Sequence, residues 1–268
     1  MTTSAAPLPL RLKLAHGLGS IAYGVKDNGF STFLLLYYNQ VLGLQATLVS
    51  AALMLALFID AFIDPFIGHM SDRTYTRWGR RLPWLYAAPI PLGLAWLLLW
   101  APPEAADGHI FLYLVIVAVL VRALVSACEV PSVALVPELT RDYDERTGLM
   151  RFRFLFGWAG GLLMLFLAYS VFLVPDEGHQ VGQLNPDGYW AYGVFGGALI
   201  TMAVLISALA QHRRVAHWPD DKPGSTSFAH AFDEIRQSLS NRAFLIFAAA
   251  AAASSGVSAI RPCRTGTS

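Results

Sequence analysis

Asp60 and Asp64 stand four residues apart inside the apolar run Leu48 to Met70, within the string IDAFIDPFIGHMSDRTYTRWGRR. One helical turn separates them, so both carboxylates share a helix face at about 6 Å from each other. At that spacing two negative charges repel by about 3 kcal/mol at an effective dielectric of 20, and a sodium ion or a proton relieves the repulsion. The pair therefore has the chemistry of a cation trap. The run around it is long enough to cross a hydrocarbon core, which takes about 20 residues. A carboxylate at the centre of a membrane helix costs roughly 2.5 to 3.5 kcal/mol, and two such costs within one turn point to acids that face a wet cavity in a membrane transporter. The plainer alternative is an acid pair that only joins neighbouring helices.

The elements that must position these acids can be read from hydropathy. The chain is 55% hydrophobic and 14% charged, with a mean hydropathy of +0.49, against about 25% charged residues in an ordinary soluble domain. Six apolar spans follow one another, at about His16 to Leu42, Leu48 to Met70, Leu82 to Ala101, Ile110 to Val136, Phe154 to Val174 and Tyr189 to Ala210. A seventh begins at Ala243. The turns GLQAT, PPEAADGH and PDEGHQVGQLNPDG hold no Lys or Arg, whereas the intervening segments carry Arg73, Arg77, Arg80 and Arg81, then Arg141, Arg146, Arg151 and Arg153, then Arg213 and Arg214. Arginines sorted by alternate turns are the mark of a multi-pass protein with its N-terminus and basic loops in the cytoplasm of a plasma membrane. A soluble helical bundle has no reason for that sorting. Net charge of +1 and two cysteines, Cys128 and Cys263, indicate neither a nucleic-acid partner nor a disulfide framework.

The expected organisation is all-α: residues 1–211 as a six-helix transmembrane bundle, 212–241 as a cytoplasmic loop, and 242–268 as the start of a seventh span. In the loop, Ser227 is a candidate N-cap, and Phe228, Phe232, Ile235 and Leu239 recur at helical spacing, which predicts a short amphipathic helix. After Ile260 the apolar pattern gives way to RPCRTGTS, and the expectation is a truncated or frame-shifted reading, with a genuine tail as the alternative.

Three segments, YGVKDNGFSTFLLLYYNQVLGL, IDAFIDPFIGHMSDRTYTRWGRRLPWL and VPELTRDYDERTGLMRFRF, resemble the glycoside-pentoside-hexuronide:cation symporters, the melibiose-permease-like branch of the major facilitator superfamily. The resemblance covers about Tyr23 to Phe154, with the motifs in the family's order and spacing. It implies a twelve-span fold in two six-helix halves, of which this chain resembles the N-terminal half, the central loop and part of span seven. It also implies cation-coupled symport of a sugar or glycoside by alternating access. Asp60 and Asp64 match the family's cation-binding acids, and they would be the metal ligands if the cation is sodium. Ser126 and Glu129, at i and i+3 on span four, resemble a hydroxyl and an acid that join the site, although a serine at helical spacing also commonly bonds its own backbone.

Lys26 and Asp27 match a pair whose acid binds substrate hydroxyls, and Arg153 matches an arginine that closes onto the substrate. The alternative for Lys26 and Asp27 is self-neutralising packing. Where the family pattern has an aromatic four residues after the span-four acid, this sequence has Val133, which argues against a galactoside and leaves another glycoside, a pentose, a hexuronate or a non-sugar solute open. The loop Gly68 to Arg81 resembles the superfamily's motif between spans two and three, in which Asp72 with Arg73, Arg77, Arg80 and Arg81 would form a salt-bridged gate. The same arginines could serve only to fix topology.

No HExxH, GxSxG or P-loop string occurs, so an enzyme is not expected. No cofactor is expected beyond the coupling cation, sodium or proton. The expected partners are a small-molecule solute, membrane lipid and a missing C-terminal half. Competing readings are an inactive truncated membrane fragment and a lysolipid or other amphiphile transporter on the same scaffold.

Overall fold

The structure, a computed structural model, describes residues 8–103, 108–175 and 178–216. All of them lie in the first of two units into which the chain divides, Met1–Lys222. The expected amphipathic helix at 227–239 and the seventh span fall outside the described residues. Everything regular in the described residues is helical, and the protein is a multi-pass all-α membrane protein.

Four helices are long and apolar enough to cross a membrane, at Ala46–Arg73, Ile110–Leu139, Tyr143–Phe172 and Pro186–Val215. The first three of these begin or end within a few residues of the expected spans two, four and five. The last, α10 (Pro186–Val215), runs four residues past the expected boundary at 211. Its last turn holds His212, Arg213 and Arg214, cations that complement the partial negative charge of a helix C-terminus.

Spans one and three are composite. Span three divides into α5 (Leu82–Ala87) and α6 (Pro89–Trp100), because Pro89 and Pro91 have no N–H to continue the ladder. Span one is α1 (Leu10–Leu18) and α2 (Ile21–Asn28), then a π-helical turn at Gly29–Phe33, α3 (Leu34–Leu36) and a second π-helical turn at Tyr37–Val41. Wide turns of this kind recur at functional sites. Here they carry the buried side chains Phe30, Phe33, Tyr37 and Tyr38. Tyr37 meets Tyr189 at 4.5 Å between ring centroids, and Trp100 meets Tyr192 at 5.0 Å and stacks on Tyr189 at 5.8 Å. This aromatic cluster joins spans one, three and six at one end of the bundle.

The remaining helices are α4 (Ala46–Arg73), α7 (Ile110–Ala134), the short α8 (Val136–Leu139) and α9 (Tyr143–Leu167). α4 packs on α7, α6 on α10 and α2 on α9. Small residues allow the close approaches, as expected where apolar lipid gives helices no hydrophobic reason to associate. Gly24 of α2 lies against the backbone of Gly157 and Gly161, and Gly93 of α6 against that of Gly197. On the outer faces Met54, Phe58, Trp158 and Phe166 are 64–75% exposed, which a helix in water would not favour and a helix in lipid does.

At the opposite end from the aromatic cluster, polar contacts gather the N-terminal segment and the basic loops. Asp142 caps α9 by accepting from the Glu145 N–H at 2.9 Å. The Glu145 carboxylate in turn accepts from the Leu8 N–H at 2.7 Å and pairs with Lys13 at 3.3 Å. Arg214 donates to the Leu139 carbonyl at 3.4 Å. The arginine-rich segments thus share one face of the bundle, as their alternation in sequence requires.

Candidate functional site

α4 and α7 bring the charged residues of spans two and four together. Asp60 pairs with Arg122 of α7 at 2.6 Å, and the Ser126 hydroxyl, one turn further along α7, donates to the other Asp60 oxygen at 3.4 Å. The side chains of Arg122 and Asp60 are only 14% and 16% exposed. The guanidinium lies 5.1 Å from the centre of the Phe30 ring in the first π-helical turn. Asp64, on the next turn of α4, is exposed. Its neighbour Pro65 sits inside the helix and has no N–H to give the Ala61 carbonyl, so a neutral oxygen is released in the turn between the two acids.

About one turn further along the same stripe of α7, Glu129 pairs with Arg153 of α9, and Arg153 also donates to the Ser132 hydroxyl at 2.7 Å. Arg153 is 5% exposed and Glu129 is 30% exposed, so the arginine is held from beneath while one acid edge stays accessible. Lys26 is buried, with its ammonium 4.5 Å from the Tyr23 ring centre. It lies within electrostatic reach of Asp27, Asp60, Glu129 and Arg122. Asp27 is exposed and makes no ion pair with Lys26 among the described residues. Adjacent helical side chains do not face each other.

Asp60 of α4 thus meets Arg122 and Ser126 of α7, Glu129 and Arg153 meet further along the same stripe, and Lys26 and Asp27 lie on α2. Among the described residues no three His, Cys, Asp or Glu side chains converge as a metal cluster. The donors near Asp60 are hard oxygens, suited to a small monovalent cation more than to a transition metal. A cavity of about 10 Å³ lined by Tyr23, Glu129, Ser132 and Ser207 has room for about one water molecule. The larger cavity, about 490 Å³, lies at the basic end between Trp78, Tyr86, Leu209, His212 and Arg213 and includes no carboxylate.

In the loop between spans two and three, Arg81 reaches across to two carboxylates and a carbonyl. Arg81 pairs with Asp72 at 3.0 Å and with Glu138 of α8 at 2.7 Å, and donates to the Ala134 carbonyl. Arg77 instead stacks on Trp78 at 5.3 Å, while Arg73 and Arg80 have interactions of their own. Asp72 and Arg81 are thus paired with each other, and Arg81 has a second partner, Glu138, outside the loop.

The residue that sequence reasoning missed is Arg122. It sits inside an apolar span, yet the signal is present: a lone arginine at i, with Ser126 at i+4 and Glu129 at i+7, marks a polar helical stripe, and an intramembrane arginine calls for a partner.

Comparison with known proteins places this geometry in context. The profile of the family described as MFS/sugar transport protein matches residues 15–261. The chain is 36% identical over 77% of its length to an uncharacterized symporter of Synechocystis, covering 38% of that protein. It is 30% identical over 60% of its length to the isoprimeverose transporter of Lactiplantibacillus pentosus, covering 34% of it. A sodium-dependent lysophosphatidylcholine symporter of Gallus gallus is 26% identical over 80% of the chain, which covers 46% of that relative. The chain therefore spans less than half the length of these curated relatives.

Proposed function

Since the chain belongs to the family of MFS/sugar transport proteins, we propose that it carries the cation site and part of the substrate site of a cation-coupled sugar or glycoside symporter. The observation that supports this most directly is the polar stripe of α7, whose Arg122 and Ser126 meet Asp60 of α4, in a bundle whose outer faces are apolar. The coupling cation occupies the neighbourhood of Asp60, Asp64 and Ser126. Sodium is favoured over a proton because the Ser126 hydroxyl and the released Ala61 carbonyl add neutral oxygens, whereas a proton needs only the acids.

Substrate hydroxyls meet Asp27, Glu129 and Arg153, which offer carboxylate acceptors and guanidinium donors. Tyr23, 45% exposed beside them, supplies an aromatic face of the kind that Val133 lacks. Binding of the cation favours binding of the solute, and the loaded bundle rocks against a second half to open the other side. The bridges from Arg81 to Asp72 and Glu138 hold the cytoplasmic side closed until then.

The test is uptake into proteoliposomes of a transporter in which this chain is completed by a second six-helix half. An inward sodium gradient should drive saturable accumulation of a glycoside or pentose at least about tenfold above equilibrium, a modest share of what an imposed potential can add. Absence of sugar counterflow together with sodium-stimulated uptake of a lysophospholipid would replace the sugar reading with the amphiphile reading, which the similarity to the Gallus gallus symporter keeps in view.

The proposed orientation places the N-terminus and the basic loops in the cytoplasm of the plasma membrane. Single cysteines at Gly108, where an added side chain meets nothing within 4 Å, and at Val181, 52% exposed, should react with an impermeant thiol reagent applied to intact cells. A cysteine at the exposed Asp144 should react only after permeabilisation. Labelling of the Asp144 variant from outside would invert the topology.

A further inference from the structure

Arg122 stands where a cation is wanted. Its Nη1 lies 2.6 Å from Asp60, on the carboxylate that the Ser126 hydroxyl also faces at 3.4 Å. Its Nε is buried and has no hydrogen-bond partner among the described residues. A guanidinium carries five donors, and one that serves purely to glue helices is expected to satisfy them. This one is held by a single carboxylate and an aromatic face, and a second buried cation, Lys26, repels it from α2. Asp64 meanwhile has no counter-ion among the described residues. Counted in ordinary charge states, the acids Asp27, Asp60, Asp64 and Glu129 exceed the bases Lys26, Arg122 and Arg153 by one, so the site lacks a single positive charge.

We propose that Arg122 is a tethered counter-ion of the cation site: it pairs with Asp60 when no coupling cation is bound, yields that carboxylate when one monovalent cation enters beside Asp64, and thereby sets the cation affinity. Two consequences follow from the charges. The carrier takes up one monovalent cation per cycle, since one restores neutrality. Its affinity for that cation is lower than the acids alone would give, because each binding event must displace an internal competitor. This inference rests on the reading of Asp60 and Asp64 as the cation site.

The experiment measures the sodium concentration equal to the apparent dissociation constant of this chain in lipid nanodiscs at fixed pH, fitted from the rise of thermal stability with sodium, since a ligand at free concentration L that binds only the folded state stabilises it by RT ln(1 + L/Kd). Arg122→Gln should lower that concentration at least about tenfold, the effect of removing a unit charge within a few ångströms at intermediate dielectric, and Arg122→Lys should leave it within about threefold of the parent by keeping the charge. An unchanged or raised dissociation constant in a folded Arg122→Gln protein that still binds sodium overturns the role of Arg122 and leaves the cation site standing. Loss of sodium protection in Asp64→Asn but not in Arg122→Gln identifies the site independently of Arg122. No sodium protection in the parent or in either Arg122 variant overturns the sodium reading and this inference together.

A second measurement on the parent protein avoids any folding defect of the variant. Saturating sodium should increase modification of Arg122 by an arginine-directed dicarbonyl reagent, read by peptide mass spectrometry, because the guanidinium leaves Asp60. Unchanged or reduced modification at saturating sodium means that the pair stays closed, and the proposal fails.

Discussion

Replacing Asp64 with asparagine should abolish concentrative uptake while the protein folds as the parent does. Asp64 is exposed and makes no ion pair among the described residues, so the substitution removes a charge without orphaning a partner. One charge moved inward gains about 2.3 kcal/mol per 100 mV, equivalent to about a fiftyfold concentration ratio. The expected accumulation ratio for Asp64→Asn is therefore about one, with exchange of substrate down its gradient retained. Asp60→Asn should abolish accumulation too, but with a second cost, because Arg122 at 14% exposure loses the one carboxylate it pairs with among the described residues. Breaking a buried pair by removing one partner destabilises by about 3–5 kcal/mol, and the residual exposure places this case toward the lower figure. The measurement is uptake at equal expression with and without a sodium gradient, paired with thermal midpoints. If both asparagine variants accumulate substrate like the parent, the acids are structural.

Gly24→Ala is expected to prevent stable folding, whereas Gly148→Ala should be neutral or stabilising. The chemical change is the same, and both glycines lie in helices. A Cβ on Gly24 would lie 1.8 Å from the Gly157 carbonyl oxygen and 2.9 Å from the Gly161 nitrogen, whereas one on Gly148 meets nothing within 4 Å. Overpacking costs about 1–3 kcal/mol where side chains can yield. Here the obstacle is backbone, so α2 and α9 must separate and the expected loss is at or above that range. At Gly148 only the helix propensity changes, in favour of alanine by about 1 kcal/mol. Thermal midpoints and protease resistance of the two variants in detergent decide the matter. Equal stability of the two would mean that α2 and α9 do not approach as described.

Separation of α2 and α9 would reach the site as well. α9 carries Arg153, and α2 carries Lys26 and Asp27. The glycine contact that lets these helices meet therefore also sets the spacing of the groups proposed to bind substrate.

What the sequence by itself determined were properties local to each segment. The presence of spans two, four, five and six was legible because a bilayer fixes the apolar run, although the helix of span five begins at Tyr143, well before its expected start at Phe154. The grouping of basic loops at one end was legible because arginines alternate between turns, and the shared face of Asp60 and Asp64 because four residues make a helical turn. Ser126 and Glu129 could be placed on α7 for the same reason. The tertiary structure decided who meets whom: Arg122 with Asp60 across 62 positions, Arg153 with Glu129 and Ser132, and Arg81 with Glu138. It also decided that span one bends through two π-helical turns, whose aromatic side chains hydropathy records only as apolar. Periodicity and hydropathy describe one helix and its solvent. Ion pairs between helices depend on which helices approach each other, and the glycines that let α2 meet α9 and α6 meet α10 have partners more than a hundred residues away.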